Sequence, residues 1–128
     1  MSLPLRTGEH EQIPVRSRMT RAQRRQQLTG IGRSLFAVRG LDGTTIEEIA
    51  AAAGVSKPVI YEHFGSKEGL YLEVVEQESK VLLSSITSSL SEEASPRVLL
   101  ERAALAVLDY IEDHTDGFRI LVRDAPPS

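Results

Sequence analysis

The 128-residue sequence has no cysteine and no tryptophan, and only three phenylalanines and three tyrosines. Without cysteine there is no disulfide and no thiolate-ligated zinc. No apolar run approaches the ~20 residues that a membrane-spanning helix needs, so no membrane association is expected. The opening residues carry Arg6, Glu9 and Glu11 with no apolar segment after them. That is not the pattern of a secretory signal, and a cytoplasmic location is expected. The histidines, His10, His63 and His114, show no ligand spacing, so no metal is expected and no other cofactor is implied. Gly30-Ile31-Gly32 lacks the strand–turn–helix setting of a phosphate-cradling loop. The one local grouping of His114 with Asp113 and Asp116 reads as a polar helix end, and an enzyme is not expected. Few aromatics with abundant Ala and Leu favour an all-α fold.

What is present is unevenly spread. The net charge of −3 hides ten Lys and Arg against six acids in residues 1–67, a balance of +4, and five against twelve in residues 68–128, a balance of −7. A basic half beside an acidic half is the electrostatic footprint of a chain that meets nucleic acid with its first half.

Residues 45–65 organise the rest. Thr45 can N-cap a helix, with Glu48 completing a capping box. Ile46, Ile49 and Ala50 share one face at helical spacing. Gly54 stands where the helix must stop, and glycine takes the left-handed conformation there without a Cβ penalty. Val55 follows as an apolar plug. Ser56 is placed as a second N-cap, and Pro58 lies in the next first turn, where a missing N–H costs nothing. Small Ala50, tight Gly54 and apolar Ile60 are what a helix-turn-helix requires. The alternative is an ordinary helical hairpin, but Lys57, Tyr61 and His63 on the second helix suit a face turned to DNA.

From Arg21 to Leu72 the chain resembles the N-terminal domain of the tetracycline-repressor (TetR) family of transcription regulators. The resemblance is carried by Ser34-Leu35-Phe36, Gly40, Thr44-Thr45-Ile46, Ile49-Ala50, Ala53 to Lys57, Tyr61-Glu62-His63-Phe64 and Ser66 to Leu70. It implies a three-helix DNA-binding head, a long fourth helix and a helical domain for ligand binding and dimerisation. Family members run well beyond 128 residues, so that last domain is expected to be incomplete here. Either the chain is a fragment of a longer product or it associates through its rear helices.

The expected division is a basic arm over residues 1–18, a DNA-binding domain over 19–66 and a partial regulatory domain over 67–128. In the arm, Arg16 and Arg18 either reach a phosphate or minor groove or have no role. Thr20 opens the first helix, with Gln23 placed for a capping box, and Gly40 ends it. Leu28, Ile31, Leu35 and Phe36 form its apolar stripe. Arg21, Arg24 and Arg25 near its start suit phosphates, or are solvated charge. Gly30 and Gly32 each cost the helix ~1 kcal/mol relative to alanine. The family usually has alanine at the place of Gly32, which points to close packing or to a looser helix.

Thr44 and Thr45 offer hydroxyls to a phosphate beyond the capping role of Thr45. Residues 56–63 are the expected recognition helix, entering the major groove. Ser56 lies at its start. Lys57 can reach a guanine edge or a phosphate, and Pro58 a thymine methyl. Tyr61 offers a phenol and a ring, and His63 a phosphate bond near the helix end. Glu62 is expected to lower non-specific affinity. Lys67 opens the fourth helix where the family touches the DNA backbone.

That helix is expected to run to about Ser91, burying Leu70, Tyr71, Val74, Val75, Leu82, Ile86 and Leu90. A helix from Ser95-Pro96 to about His114 carries the apolar run from Ala103 to Leu108 and is expected to be central. Thr115-Asp116-Gly117 reads as a turn before a last short helix with Phe118, Leu121 and Val122. Tyr110, His114, Phe118 and Leu121 are candidate ligand contacts, with core packing as the alternative for the apolar ones. The resemblance thus implies a homodimeric, ligand-responsive repressor on a palindromic, double-stranded DNA operator, answering to an unidentified small-molecule effector. The alternative is a truncated interaction module that does not bind DNA but pairs with a full-length regulator and blocks it.

Overall fold

The computed structural model describes residues 19–90 and 93–123. The expected arm with Arg16 and Arg18 lies outside them. The described residues form six helices: α1 (Arg21–Arg39), α2 (Ile46–Ala53), α3 (Lys57–Phe64), α4 (Lys67–Ser89), α5 (Pro96–Asp113) and α6 (Thr115–Arg123). The fold is all-α, and no described helix is long and apolar enough to cross a membrane.

Local chemistry sets most helix ends. Thr20 with Gln23 and Thr45 with Glu48 both form reciprocal capping boxes. Behind α2, Gly54 is left-handed at φ 72°. Val55 N–H then bonds Ala50 O at 3.0 Å and Gly54 N–H bonds Ala51 O at 3.3 Å, the paired bonds of a Schellman ending. Ser66 and Ser95 accept Gly69 N–H at 2.9 Å and Val98 N–H at 3.3 Å. Ser56 occupies the N-cap of α3 in backbone conformation, but its side chain makes no cap bond.

One core runs through the molecule. Leu28 and Phe36 of α1, Ile49 of α2, Ile60 of α3, and Leu70 and Val74 of α4 are fully buried. Phe36 and Tyr71 meet edge to face at 5.0 Å. Ile120 of α6 joins the same core, and Arg123 of α6 donates to the Phe36 carbonyl at 3.0 Å. The core therefore does not stop at residue 66: the start of α4 and Ile120 of α6 close it. Gly32 faces Leu70, whose Cδ2 would lie 3.0 Å from an added Cβ. Close packing, not looseness, explains this glycine.

Three expectations are corrected. Residues 115–117 are not a turn. Only His114 separates α5 from α6, and α6 starts at Thr115. A side chain at Gly117 would overlap the Glu78 carboxylate, so this glycine serves a close approach inside a helix. Nor is α5 central: Tyr110 is its one buried residue among those described, while Leu100, Leu105 and Leu108 are exposed. On α4 the buried stripe is Leu70, Tyr71, Val74 and Glu78; Val75, Leu82 and Ile86 are half-buried and Leu90 is exposed.

Candidate DNA interface

The helix-turn-helix is α2 and α3. Ile49 and Ala50 face Ile60 across a turn that Gly54 makes possible, and all three are buried. With Ile60 inward, Ser56, Lys57, Pro58, Tyr61 and Glu62 are left exposed at the start and outer side of α3. These are a hydroxyl, a cation, a stiff apolar ring, a phenol and one carboxylate, set beside N–H groups that α3 leaves without intrahelical partners. Such a surface can bond to base edges and phosphates.

Lys57 is held in place from α2. Its Nζ donates to Glu47 Oε2 at 2.9 Å. The bond raises the lysine's pKa above its ordinary value and lowers that of the glutamate. The pair is exposed, so a polyanion can compete for the ammonium. Glu48 pairs with Arg39 and accepts Thr45 N–H, which together hold its carboxyl below the usual range. Glu47 was not visible as a partner in the sequence. Ten residues separate it from Lys57, and only the crossing of two helices joins them.

The two threonines part company. Thr45 is exposed, its hydroxyl accepting Glu48 N–H at 3.1 Å. Thr44 is fully buried, and its hydroxyl donates to the Gly40 carbonyl at 2.8 Å. The expectation that the Thr44 hydroxyl meets a phosphate is therefore corrected: it secures the turn after α1. Lys67 extends the same fastening, donating to the Thr44 carbonyl at 3.0 Å. It is half-buried at the foot of α4.

Among the three arginines of α1, Arg21 is exposed. Arg24 donates to Gln27 Oε1 at 2.6 Å. Arg25 turns inward to His63, Phe64 and Glu73. His63 is half-buried. Burial, then the charges of Arg21 and Arg25, holds its pKa below the ordinary histidine value despite an opposing effect of Glu62.

The four candidate ligand residues do not converge. An open groove of about 600 Å³ lies between α4 and α5, lined by Ser85, Ser89, Leu105, Asp109, Tyr110 and His114 among others. The rings of Tyr110 and His114 stack at 5.1 Å on its wall. Phe118 and Leu121 are half-buried on α6 and do not line it. The Tyr110 hydroxyl points away from solvent and donates to Glu78 Oε1 at 2.8 Å. Burial and that carboxylate push the phenol's pKa up. Glu78 also pairs with Arg33 of α1 at 2.7 Å. This junction of α1, α4 and α5 was missed in the sequence, where Glu78 reads as an ordinary surface glutamate on a long helix.

Residues 31–74 match the family model for "Bacterial regulatory proteins, tetR family". The chain is 38% identical over 105 residues to the HTH-type transcriptional activator FasR of Mycolicibacterium smegmatis, covering 82% of this chain and 48% of that protein. It is 46% identical over 52 residues to the HTH-type transcriptional repressor KstR2 of Rhodococcus jostii, covering 41% and 26%. A TetR-like transcriptional regulator from Rhodococcus sp. RHA1 superposes with a TM-score of 0.80 at 31% identity, over 84% of this chain and 59% of that one. The chain spans about half the length, or less, of these curated relatives. With residues 31–74 matching the family model and the fold shared over most of this chain, the chain belongs to the TetR family of bacterial transcription regulators.

Proposed function

We propose that α3 reads the major groove of DNA and that the whole protein is a ligand-responsive regulator, acting in the cytoplasm as a homodimer on a palindromic operator. The observation that carries this is the sidedness of α3. Ile60 is fully buried while Ser56, Lys57, Pro58 and Tyr61 stand exposed beside it. These four make the base and phosphate contacts. Thr45, Arg21 and Arg24 contact the flanking backbone, with His63 and Lys67 at the edge of that surface.

Two such heads about a two-fold axis place their recognition helices in half-sites about one helical turn apart or somewhat more. Repression is the expected sign, as in the relative named as a repressor; the relative named as an activator makes the opposite sign the outcome to test for. The α4–α5 groove is the site offered to the effector. Leu105 and Tyr110 with Asp109 and Asp113 favour a small apolar or cationic molecule there. Ligand binding shifts the regulator only by preferring one of its two states. The names of the relatives as HTH-type activators and repressors speak against a module that merely blocks another regulator.

The test is selection of duplex DNA with this chain, followed by affinity measurements at several salt concentrations. Lys57→Ala and Tyr61→Ala should each lose ~1–3 kcal/mol of specific binding if they touch bases, or lower the salt slope by about one if they touch phosphate. If neither variant changes binding while the fold is intact, α3 is not the reading element.

A further inference from the structure

Arg25 stands among cations that suit DNA phosphates, but its guanidinium is engaged on three sides within the protein. One nitrogen donates to the His63 carbonyl at 2.5 Å. Another pairs with Glu73 Oε1 of α4 at 3.2 Å. Its central carbon lies 4.5 Å from the centroid of the Phe64 ring. The His63 carbonyl belongs to the last turn of α3, where helix carbonyls lack intrahelical donors and where a cation is favoured by the helix dipole. Glu73 is in turn approached by Gln77 at 3.4 Å, and Gln77 by Arg33 at 3.4 Å. The end of the recognition helix is thus tied, through one side chain of α1, to the second turn of α4.

We infer that Arg25 is a positioning residue for the recognition helix, braced on α4 by Glu73, and not a contact to the DNA backbone. This rests on the assignment of α3 as the reading element. Arginine suits the task where lysine does not. Its planar fork reaches a carbonyl and a carboxylate at once while its face stacks on a ring. Because Glu73 is on α4, any displacement of that helix arrives at the C-terminal end of α3 through this link.

A phosphate contact and a positioning brace make opposite demands on the same measurements. Affinity for the selected duplex and for an unrelated duplex is measured over a salt series with the full chain and with Arg25→Gln, Arg25→Lys, Glu73→Gln and Arg21→Gln. A brace predicts that Arg25→Gln loses about tenfold on the selected duplex, as for one misplaced base contact, with the salt slope unchanged. The unrelated duplex should be bound nearly as before. Arg25→Lys, with the charge kept, should not restore the loss. Glu73→Gln removes a negative charge near a polyanion, which by electrostatics alone raises affinity; the brace predicts that it lowers affinity for the selected duplex.

A salt slope reduced by about one in Arg25→Gln and restored by lysine overturns the inference, since that is the signature of a phosphate contact. So does tighter binding by Glu73→Gln. If Arg25→Gln fails to fold, Glu73→Gln leaves the cation stacked on Phe64 and carries the same decision. A drop in slope for Arg21→Gln supports the DNA-reading assignment by itself. Failure of the parent chain to bind any duplex overturns both that assignment and this inference, whereas binding with a phosphate-like Arg25 overturns the inference alone.

Discussion

The head and the rear of this molecule bury their apolar residues very differently. In α1 to α3, leucine, isoleucine and phenylalanine are inside: Leu28, Phe36, Ile49 and Ile60 are each 0% exposed. In α5 three of the four leucines are outside, with Leu100 at 72%. The head has closed its core with help from α4 and α6, while the outer side of α5 is an apolar helix face without a neighbour among the described residues. Burial of a leucine or phenylalanine side chain is worth ~1.5–3 kcal/mol. The head collects that stabilisation and the outer face of α5 does not. The rear holds its other side with a polar junction, in which Glu78 meets Arg33 and Tyr110 over the bare backbone of Gly117.

The sharpest way to break this comparison is a matched pair of truncations. Phe36→Ala should cost ~3–5 kcal/mol, whereas Leu108→Ala should stay within about 0.5 kcal/mol, by urea unfolding. Equal losses would mean that α5 is covered in the state measured. Next is the polar junction. Glu78→Ala strands Arg33 beside the core and should cost about 3 kcal/mol, the lower end for a broken buried pair because Arg33 is partly exposed. Tyr110→Phe removes one hydrogen bond to the carboxylate and should cost about 1.5 kcal/mol. A Tyr110→Phe loss as large as that of Glu78→Ala would place the weight on the phenol instead.

Smaller in size but clear in sign is the contrast of two glycines in one helix. Gly30 has room for a Cβ, so Gly30→Ala should stabilise by up to ~1 kcal/mol. Gly32→Ala pushes on Leu70 and should destabilise by ~1 kcal/mol once overpacking outweighs the same propensity gain. The smallest effect expected is that of His63. Its folded pKa lies below the ordinary value, so as pH falls the unfolded chain takes up the proton first. Its stabilising contribution is full above about pH 6.5, the unfolded value, and is lost as pH drops toward the folded pKa. Denaturant midpoints from pH 7.5 to 5 should therefore fall less steeply in His63→Gln than in the parent.

Much of the head was legible because its signals are local. Thr20 with Gln23, Thr45 with Glu48, and the glycines at 40 and 54 each act on residues within one turn, and all stand where spacing placed them. The sidedness of α3 was legible too, since Ile60 inward leaves Lys57 and Tyr61 outward. What escaped was set by distant neighbours. Thr44 looked like a phosphate ligand because nothing nearby in sequence shows that its hydroxyl will be buried. Arg25 is paired 48 residues away. Thr115-Asp116-Gly117 has good turn chemistry, yet it is helical because Ile120 must reach the core and Glu78 needs the space above Gly117. The run from Ala103 to Leu108 suggested a central helix because apolar composition alone does not tell a core from a face waiting for cover.

Ile120 and Arg123 have one more consequence, for the order of events during synthesis. Helix α3 is complete at Phe64, but the core beneath it is closed by Ile120 and the end of α1 is capped by Arg123. At 5–20 residues per second, some 3–11 s pass on the ribosome between those points. Through that interval the residues of α3's outer face are already synthesised, while one wall of the interior that must hold them in place is not.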